Sequence, residues 1–500
     1  MKFLFFWCTL FLISLSAAAQ DIKYSDPDPA DVNLTNFDII GKVSGNYLVY
    51  KNLRNRRILT IFDNDMKVKD AFKLQFMPDR TLSAEFIAYP DSLYAIYQYQ
   101  KRSAMYAMAV EMDGNGKVLR KPFALDTTHL GFFSNSRIYN VIYSEDRSKI
   151  LLYKIQKKYE TFTFTTLLFN SSLQLLHKSV IGTNFDDYRN SLSDFYVDNN
   201  GNFVFTVGDR QDSRYLQQQL LLAVKPADAD SIELHPVNLF GKYLSEVFLK
   251  IDNLNQRYVI NSLYYSRKNS NVDGLFSAFW DIRQARIDYQ SILPFDESLK
   301  NLAKSQGNAR QAFNDYFIRD VILKRDGGFI LTAEDRSVNY RYNGYGFPFG
   351  SPLSPFSYYN PYIYSPYMGG YYNPYYNNGG NSRYYYDNIA VFDVSPESKL
   401  NWKTVVTKSQ YDDNTDNYLS YSIMLTGGKL HFLYNEMDRH FELLKEQIMS
   451  PDGSVVREPP FRSLDKGYEF MPKYAKQVSS YQMVLPCTFR NYICFSKIEF

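Results

Sequence analysis

Residues 191–240 set short apolar runs against polar turns, with no helical period between them. The runs are 192–197, 203–207, 219–224 and 232–237; Asp198-Asn199-Asn200-Gly201 divides the first two and the polar stretch 209–214 precedes the third. Runs of this length bounded by Asn, Asp and Gly predict four antiparallel strands in one sheet. Such a sheet has two faces to cover and cannot cover both itself, so the pattern calls for copies packed beside it.

The chain supplies them. Sets of four comparable runs begin near residues 38, 85, 138, 192, 247, 316 and 419. The interval of about 50–60 residues is a period of propellers and solenoids. An eighth set holds three runs only, 473–478, 481–485 and 492–498. Its missing strand is expected from the other end of the chain, 21–24 or 32–37, which would close a ring and remove an exposed sheet edge. Asp/Asn-Gly turns recur between first and second strands. Third strands end alike in Ile61-Phe62-Asp63-Asn64, Leu168-Phe169-Asn170-Ser171 and Val391-Phe392-Asp393-Val394. Phe295, Leu299, Leu302 and Ala303 fall at helical spacing, predicting one short helix over 296–306 that Gly307 would end.

The predicted fold is all-β: a β-propeller of seven to eight four-stranded blades over 37–500, with 20–36 holding the closing strand. These units and their Asp/Asn-Gly turns resemble those of secreted β-propeller repeat proteins over nearly the whole chain. No WD dipeptide, Asp-box or kelch double-glycine motif narrows the resemblance. It implies a circular fold with a central channel and ligand sites on the loop faces, and no particular reaction.

Residues 337–386 break the rhythm inside the sixth unit. From Asn339 to Tyr386 there are 15 Tyr and 6 Pro, many Asn and Gly, and no Lys, Asp or Glu. So many Pro and Gly oppose a regular element. Two readings stand: an extended surface loop, or an adhesive arm, since Tyr offers large contact area at low side-chain entropy cost. In the second reading Tyr358, Tyr359, Tyr362, Tyr364, Tyr367, Tyr371, Tyr372, Tyr375 and Tyr376 touch the partner.

Met1 to Ala19 reads as a secretory signal, with Lys2 as basic start, an apolar core over 3–15 and small residues Ala17 to Ala19 before the cut. Cys8 lies inside that core behind Trp7, where a lipidated cysteine does not fit. The expected product is exported (periplasmic, cell-surface or secreted), monomeric and without a spanning segment. Cys487 and Cys494 then remain, opposite each other if Arg490-Asn491 is a two-residue turn. A cross-strand disulfide and two free thiols are both compatible with that placement. The net charge of +3 and the scattered Lys and Arg give no nucleic-acid footprint.

Candidate chemistry is sparse. His129, His177, His235, His431 and His440 show no metal-ligand spacing, and no Gly-x-Ser-x-Gly or phosphate-cradling loop is present. No cofactor is expected. Asp412, Asn414 and Asp416 place oxygens at alternate positions, a faint calcium signal that lacks the closing Glu. First-strand polar residues Arg137, Tyr139, Asp194, Tyr196, Asp315 and Arg319 are candidates for a channel lining. The leading expectation is a non-catalytic binding or scaffold propeller for a protein or cell-envelope polymer. The alternatives are a propeller enzyme acting on glycans or peptides, marked by facing carboxylates, and an outer-membrane β-barrel.

Overall fold

Strand pairing among the described residues gives eight separate antiparallel sheets. The structure is a computed structural model. It describes residues 22–28, 32–53, 56–130, 138–158, 161–185, 190–209, 216–304, 311–340, 371–372, 382–413, 415–438, 441–461 and 467–500.

Blade 1 is built from Thr35–Val43, Asn46–Leu53, Arg56–Phe62 and Val68–Lys73. Blade 2 follows with Thr81–Ala88, Ser92–Lys101, Ala104–Asp113 and Val118–His129. Blade 3 uses Asn140–Tyr143, Lys149–Lys158, Thr161–Asn170 and Leu175–Thr183. Blade 4 is Asn190–Val197, Phe203–Asp209, Leu220–Lys225 and Glu233–Val237. Blade 5 takes Tyr243–Asp252, Arg257–Tyr265, Val272–Asp281 and Arg286–Pro294. In blade 6 they are Tyr316–Leu323, Phe329–Tyr340, Ser382–Val394 and Leu400–Val406, and in blade 7 Tyr421–Thr426, Lys429–Asp438, Phe441–Met449 and Val455–Arg457.

Blade 8 joins the two ends of the chain. Gln482–Phe489 and Tyr492–Glu499 form its middle, and Ile22–Tyr24 pairs with the latter, Ile22 opposite Ile498 and Tyr24 opposite Ser496. Of the two expected closing segments, the first closes the ring. Residues 35–37 of the second belong instead to the inner strand of blade 1. The inner strand of blade 8 comes in two pieces, Tyr468–Phe470 and Lys476–Gln477, so the expected single run 473–478 is not formed. Between them Pro472–Tyr474 makes a 3-10 turn, because proline has no N–H to give a ladder.

Eight separate sheets exclude the outer-membrane cylinder, which needs one closed sheet. No helix among the described residues is long and apolar enough to cross a membrane. The core is eight apolar layers, one between each pair of neighbouring blades, the last joining blade 8 to blade 1. Strand alternation produces this: along Arg257–Tyr265, Val259 and Leu263 face blade 6, while Tyr258, Ile260 and Tyr264 face blade 4.

One tight turn recurs on a single face of the ring. The leading residue takes the N–H three residues on with its own C=O, and its side chain accepts from the N–H groups two and four on. Asp63, Asp113, Asn170 and Asp198 each make both side-chain bonds, at 2.8–3.0 Å. The fourth position has positive φ: 60° at Met66, 76° at Gly116, 56° at Leu173 and 94° at Gly201. At Gly201 a Cβ would also come 2.8 Å from Leu168 Cδ2, so glycine answers both demands. The Phe392-Asp393 pair does not share this register. Its turn starts two residues later, at Ser395, and Asp393 pairs with Lys324 at 2.6 Å.

The helix is shorter than expected, Glu297–Ala303, capped by Asp296, whose carboxylate accepts from Leu299 N at 2.9 Å. Leu299 and Ala303 are buried in the layer between blades 5 and 6, whereas Leu302 is 61% exposed. Gly307 lies outside the described residues.

Candidate channel-wall site

First strands of adjacent blades touch around the axis, so they form the channel wall. In several the ladder is interrupted. Register shifts fall between Ser193 and Tyr196 in blade 4, Leu244 and Val247 in blade 5, and Ile318 and Asp320 in blade 6. A bulge leaves a residue unpaired and re-aims its side chain. Here each one frees an ionisable residue: Asp194 (φ 59°), Glu246 and Arg319.

Asp194 Oδ2 accepts from Leu249 N of the next blade at 3.2 Å. Burial, and then the neighbouring Glu246, push the Asp194 carboxyl well above its usual range. Burial raises Glu246 to about 7 against the opposing field of Arg336. The two carboxyls therefore retain protons well above the ordinary carboxylate range. Further along the wall, burial raises Asp320 against Arg319 and Lys250, and lowers Lys250 against Asp320 and Glu145. Burial likewise raises Asp38 of blade 1 and lowers Lys476 of blade 8, each against the charge of the other.

Behind the wall of blades 6 to 8 the charges are matched. Glu334 and Lys408, both fully buried, lie 2.8 Å apart. Glu334 also takes Arg319 Nη1 at 3.2 Å and the Ser420 hydroxyl, and Arg319 lies 4.2 Å over the Tyr421 ring. Asp416 receives Lys473 Nζ and the Tyr386 hydroxyl, each at 2.7 Å, with Arg336 3.8 Å away. Burial alone would raise Asp416, but Lys473, Arg336 and these hydrogen bonds outweigh it and hold it at about 2.

Of the residues singled out from the sequence, Asp194 and Arg319 reach the wall. Tyr139 does not: its hydroxyl bonds Asp126 at 2.7 Å in the interface between blades 2 and 3, where Lys154 also meets Asp126 at 3.1 Å. Tyr196 is buried between blades 4 and 5. Asp315 takes Arg336 N on its carbonyl at 2.9 Å. Arg137 lies outside the described residues. Glu246, Lys250, Asp320 and Glu334 were missed. A signal for the first existed in Leu192-Ser193-Asp194-Phe195 and Leu244-Ser245-Glu246-Val247, the same phrase at the same place in successive blades.

The calcium candidates separate. Asp412 sits in the added strand Gln410–Asp413, raised to about 6 chiefly by burial; Asn414 lies outside the described residues; Asp416 is held by Lys473 and Tyr386. Among the described residues no group of three or more His, Cys, Asp or Glu is placed to hold a metal ion. His177 meets Asp230 at 3.0 Å, His235 packs 4.4 Å from the Trp280 ring and His431 bonds Glu446.

The Tyr-rich insertion is narrower than 337–386, since its flanks Ser337–Tyr340 and Ser382–Tyr386 continue the blade 6 hairpin and Tyr386 is buried. Tyr358, Tyr359, Tyr362, Tyr364, Tyr367, Tyr375 and Tyr376 lie outside the described residues. Tyr371 and Tyr372 pair by backbone with Asp38 and Phe37, adding a short strand to the inner edge of blade 1. Cys487 and Cys494 stand opposite each other as unjoined, buried thiols with Sγ atoms 2.8 Å apart.

No protein-family model and no curated protein matches the chain. Among solved structures it is similar to apo prolyl oligopeptidase B from Galerina marginata, at 8% identity and a TM-score of 0.41, over 95% of this chain and 56% of that one. It is also similar to the polysaccharide lyase Uly1, at 10% identity and a TM-score of 0.39, over 83% of this chain and 89% of that one. An ulvan lyase of polysaccharide lyase family PL25 shows 10% identity and a TM-score of 0.36, over 82% of this chain and 90% of that one. The chain thus spans a little over half the length of the prolyl oligopeptidase, and likenesses this low carry no chemistry across.

Proposed function

We propose that the protein is an exported, non-catalytic propeller that binds a protein or cell-envelope polymer through one face of the ring, with the Tyr-rich segment as its contact arm. The pairing of Tyr371 and Tyr372 with the inner edge of blade 1 carries this reading. The four consecutive strands of blades 1 to 7 run in chain order from the axis outward, so their second-to-third links and the links between blades share one face. The segment leaves blade 6 on that face and meets blade 1 across three blade interfaces. In sequence, a Tyr-rich, acid-free stretch lies between these two anchored points, Tyr340 in blade 6 and Tyr371 at blade 1, and its aromatic content suits contact with a partner. The matched pairs Glu334–Lys408 and Asp416–Lys473 fit a structural wall better than a catalytic one.

The test deletes 343–380, keeping both hairpin flanks, and compares quantitative pulldowns from the cell envelope with the intact protein. The reading expects enriched partners to be lost while the melting temperature holds within about 2 °C. An unchanged set of partners would remove the arm from the account.

A second reading, an enzyme acting on glycans or peptides, is favoured by one observation, the raised pair Asp194 and Glu246. It expects turnover of a polysaccharide or peptide panel that Glu246→Gln abolishes without unfolding the ring. The binding reading expects no turnover from either protein.

A further inference from the structure

The hairpin Gln482–Phe489 to Tyr492–Glu499 turns through Arg490 (φ 50°) and Asn491 (φ 69°), both left-handed, as a two-residue type I′ turn requires. With Phe489 opposite Tyr492, the pair two steps back on the same face is Cys487 opposite Cys494. Such a hydrogen-bonded pair has Cα atoms about 5.5 Å apart, inside the span a disulfide bridges. The Sγ atoms lie 2.8 Å apart, and the Cys494 thiol also points to the Cys487 carbonyl at 3.3 Å. Both are buried in the layer between blades 7 and 8, beside Met424, Leu433 and Leu444.

The place of this pair in the ring gives it a consequence. The strand that carries Cys494 is the one that receives the start of the chain. Besides Ile22–Tyr24, it takes Ser25 N on Phe495 O at 2.8 Å, Asp28 N on Ile493 O at 2.8 Å and Val32 N on Asn491 O at 3.1 Å. These backbone bonds tie the start of the chain to a strand, and to the turn before it, whose register against 482–489 the two cysteines can fix.

We propose that Cys487 and Cys494 are joined by a disulfide in the mature protein and that this bond locks the strand on which the ring closes. The oxidant is a disulfide-bearing partner of the export compartment. One cysteine thiolate attacks it, forming a mixed disulfide and releasing one thiol; the second thiolate attacks the mixed disulfide, forming Sγ–Sγ and releasing the other. Two protons leave the cysteines, and the partner's disulfide is reduced to two thiols. Both sulfurs are buried in the folded blade, out of reach of a partner, and burial pushes the Cys487 thiol well up. The bond forms before blades 7 and 8 pack and is shielded from reductant afterwards. The oxidising setting rests on the export reading; the geometry does not.

The test traps thiols by alkylation in denaturant and reads the intact mass. Two samples are used: protein recovered from its own compartment, and reduced chain 20–500, which lacks Cys8, refolded with a glutathione redox pair. Both are expected to carry no adduct, and two adducts after prior reduction in denaturant; Cys487→Ser is expected to carry one adduct. Two adducts on the refolded chain without reduction would overturn the bond on geometric grounds. Two adducts on the recovered protein alone would overturn it for the mature form. For the locking role, the double Ser variant is expected to melt about 2–3 °C lower and to exchange amides faster at 22–28. Unchanged melting and exchange in that variant would overturn the lock.

Discussion

At the residue scale, the molecule separates charges held for structure from charges left adjustable. Lys408 and Glu334 are both fully buried, and Arg319 and Ser420 complete the acid's partners. Removing one member strands the other in an apolar setting, so Lys408→Met is expected to cost about 3 kcal/mol in chemical denaturation. A loss below about 0.5 kcal/mol would mean that Arg319 alone satisfies Glu334. Glu246 behaves in the opposite way. Its folded value of about 7 lies above the ordinary 4.5, so the folded state holds the proton more tightly than the unfolded chain. That contribution is fully present below pH 4.5 and is lost as pH rises toward 7 and beyond. Glu246→Gln, permanently neutral, should therefore gain stability relative to the native protein between pH 5 and pH 8, read as a shift in denaturation midpoint. A pH-independent difference would contradict the raised value. These roles were only partly legible in the residues. Asp194 and Arg319 stood out as polar groups in apolar first strands, but Tyr139 looked the same and turned into a blade interface. What distinguishes them is a bulge, and a bulge is a property of pairing with the second strand rather than of the first strand's own composition.

At the element scale, the blades were readable because each strand alternates between two apolar layers and ends in turn chemistry. The period of 2 and the Asp, Asn and Gly positions follow from local sterics and hydrogen bonding, which sequence carries directly. Strand ends were less readable. In blade 6 the hairpin runs on through Arg336 to Tyr340 and Ser382 to Tyr386, where Tyr-rich composition masks a regular ladder. Blade 8 hid its inner strand because Pro472 splits it. The helix was overextended at its C-terminal side, since Leu302 matches the apolar spacing yet faces solvent. Its N-terminus is anchored by Asp296, which caps Leu299 N and pairs with Lys403. The Lys403 bond first, then the cap to Leu299 N and the Ser298 hydroxyl, with burial opposing, hold Asp296 at about 2. Asp296→Ala is expected to cost about 1 kcal/mol, mostly through the cap. An equal loss in Asp296→Asn, which keeps a capping oxygen but no charge, would shift the weight to Lys403.

At the scale of the whole molecule, stability is distributed around a circuit. Eight apolar layers tie each blade to two neighbours among the described residues, so no blade is terminal and one link is made between the chain's two ends. That link is non-local, Ile22 pairing with Ile498, and in the sequence only the missing strand of the eighth set points to it. The proposed binding face depends on the same circuit, because blade 6 and blade 1 keep a fixed relation only in a shut ring. Native-state hydrogen exchange resolved by peptide is the most direct measurement of this. A shut eight-bladed ring predicts that amides of 22–28 and of Tyr492–Glu499 are protected together, comparably to the middle strands of blades 4 and 5. Exchange of 22–28 at the rate of an unstructured chain, with Tyr492–Glu499 protected on its own, would contradict closure by the N-terminal strand.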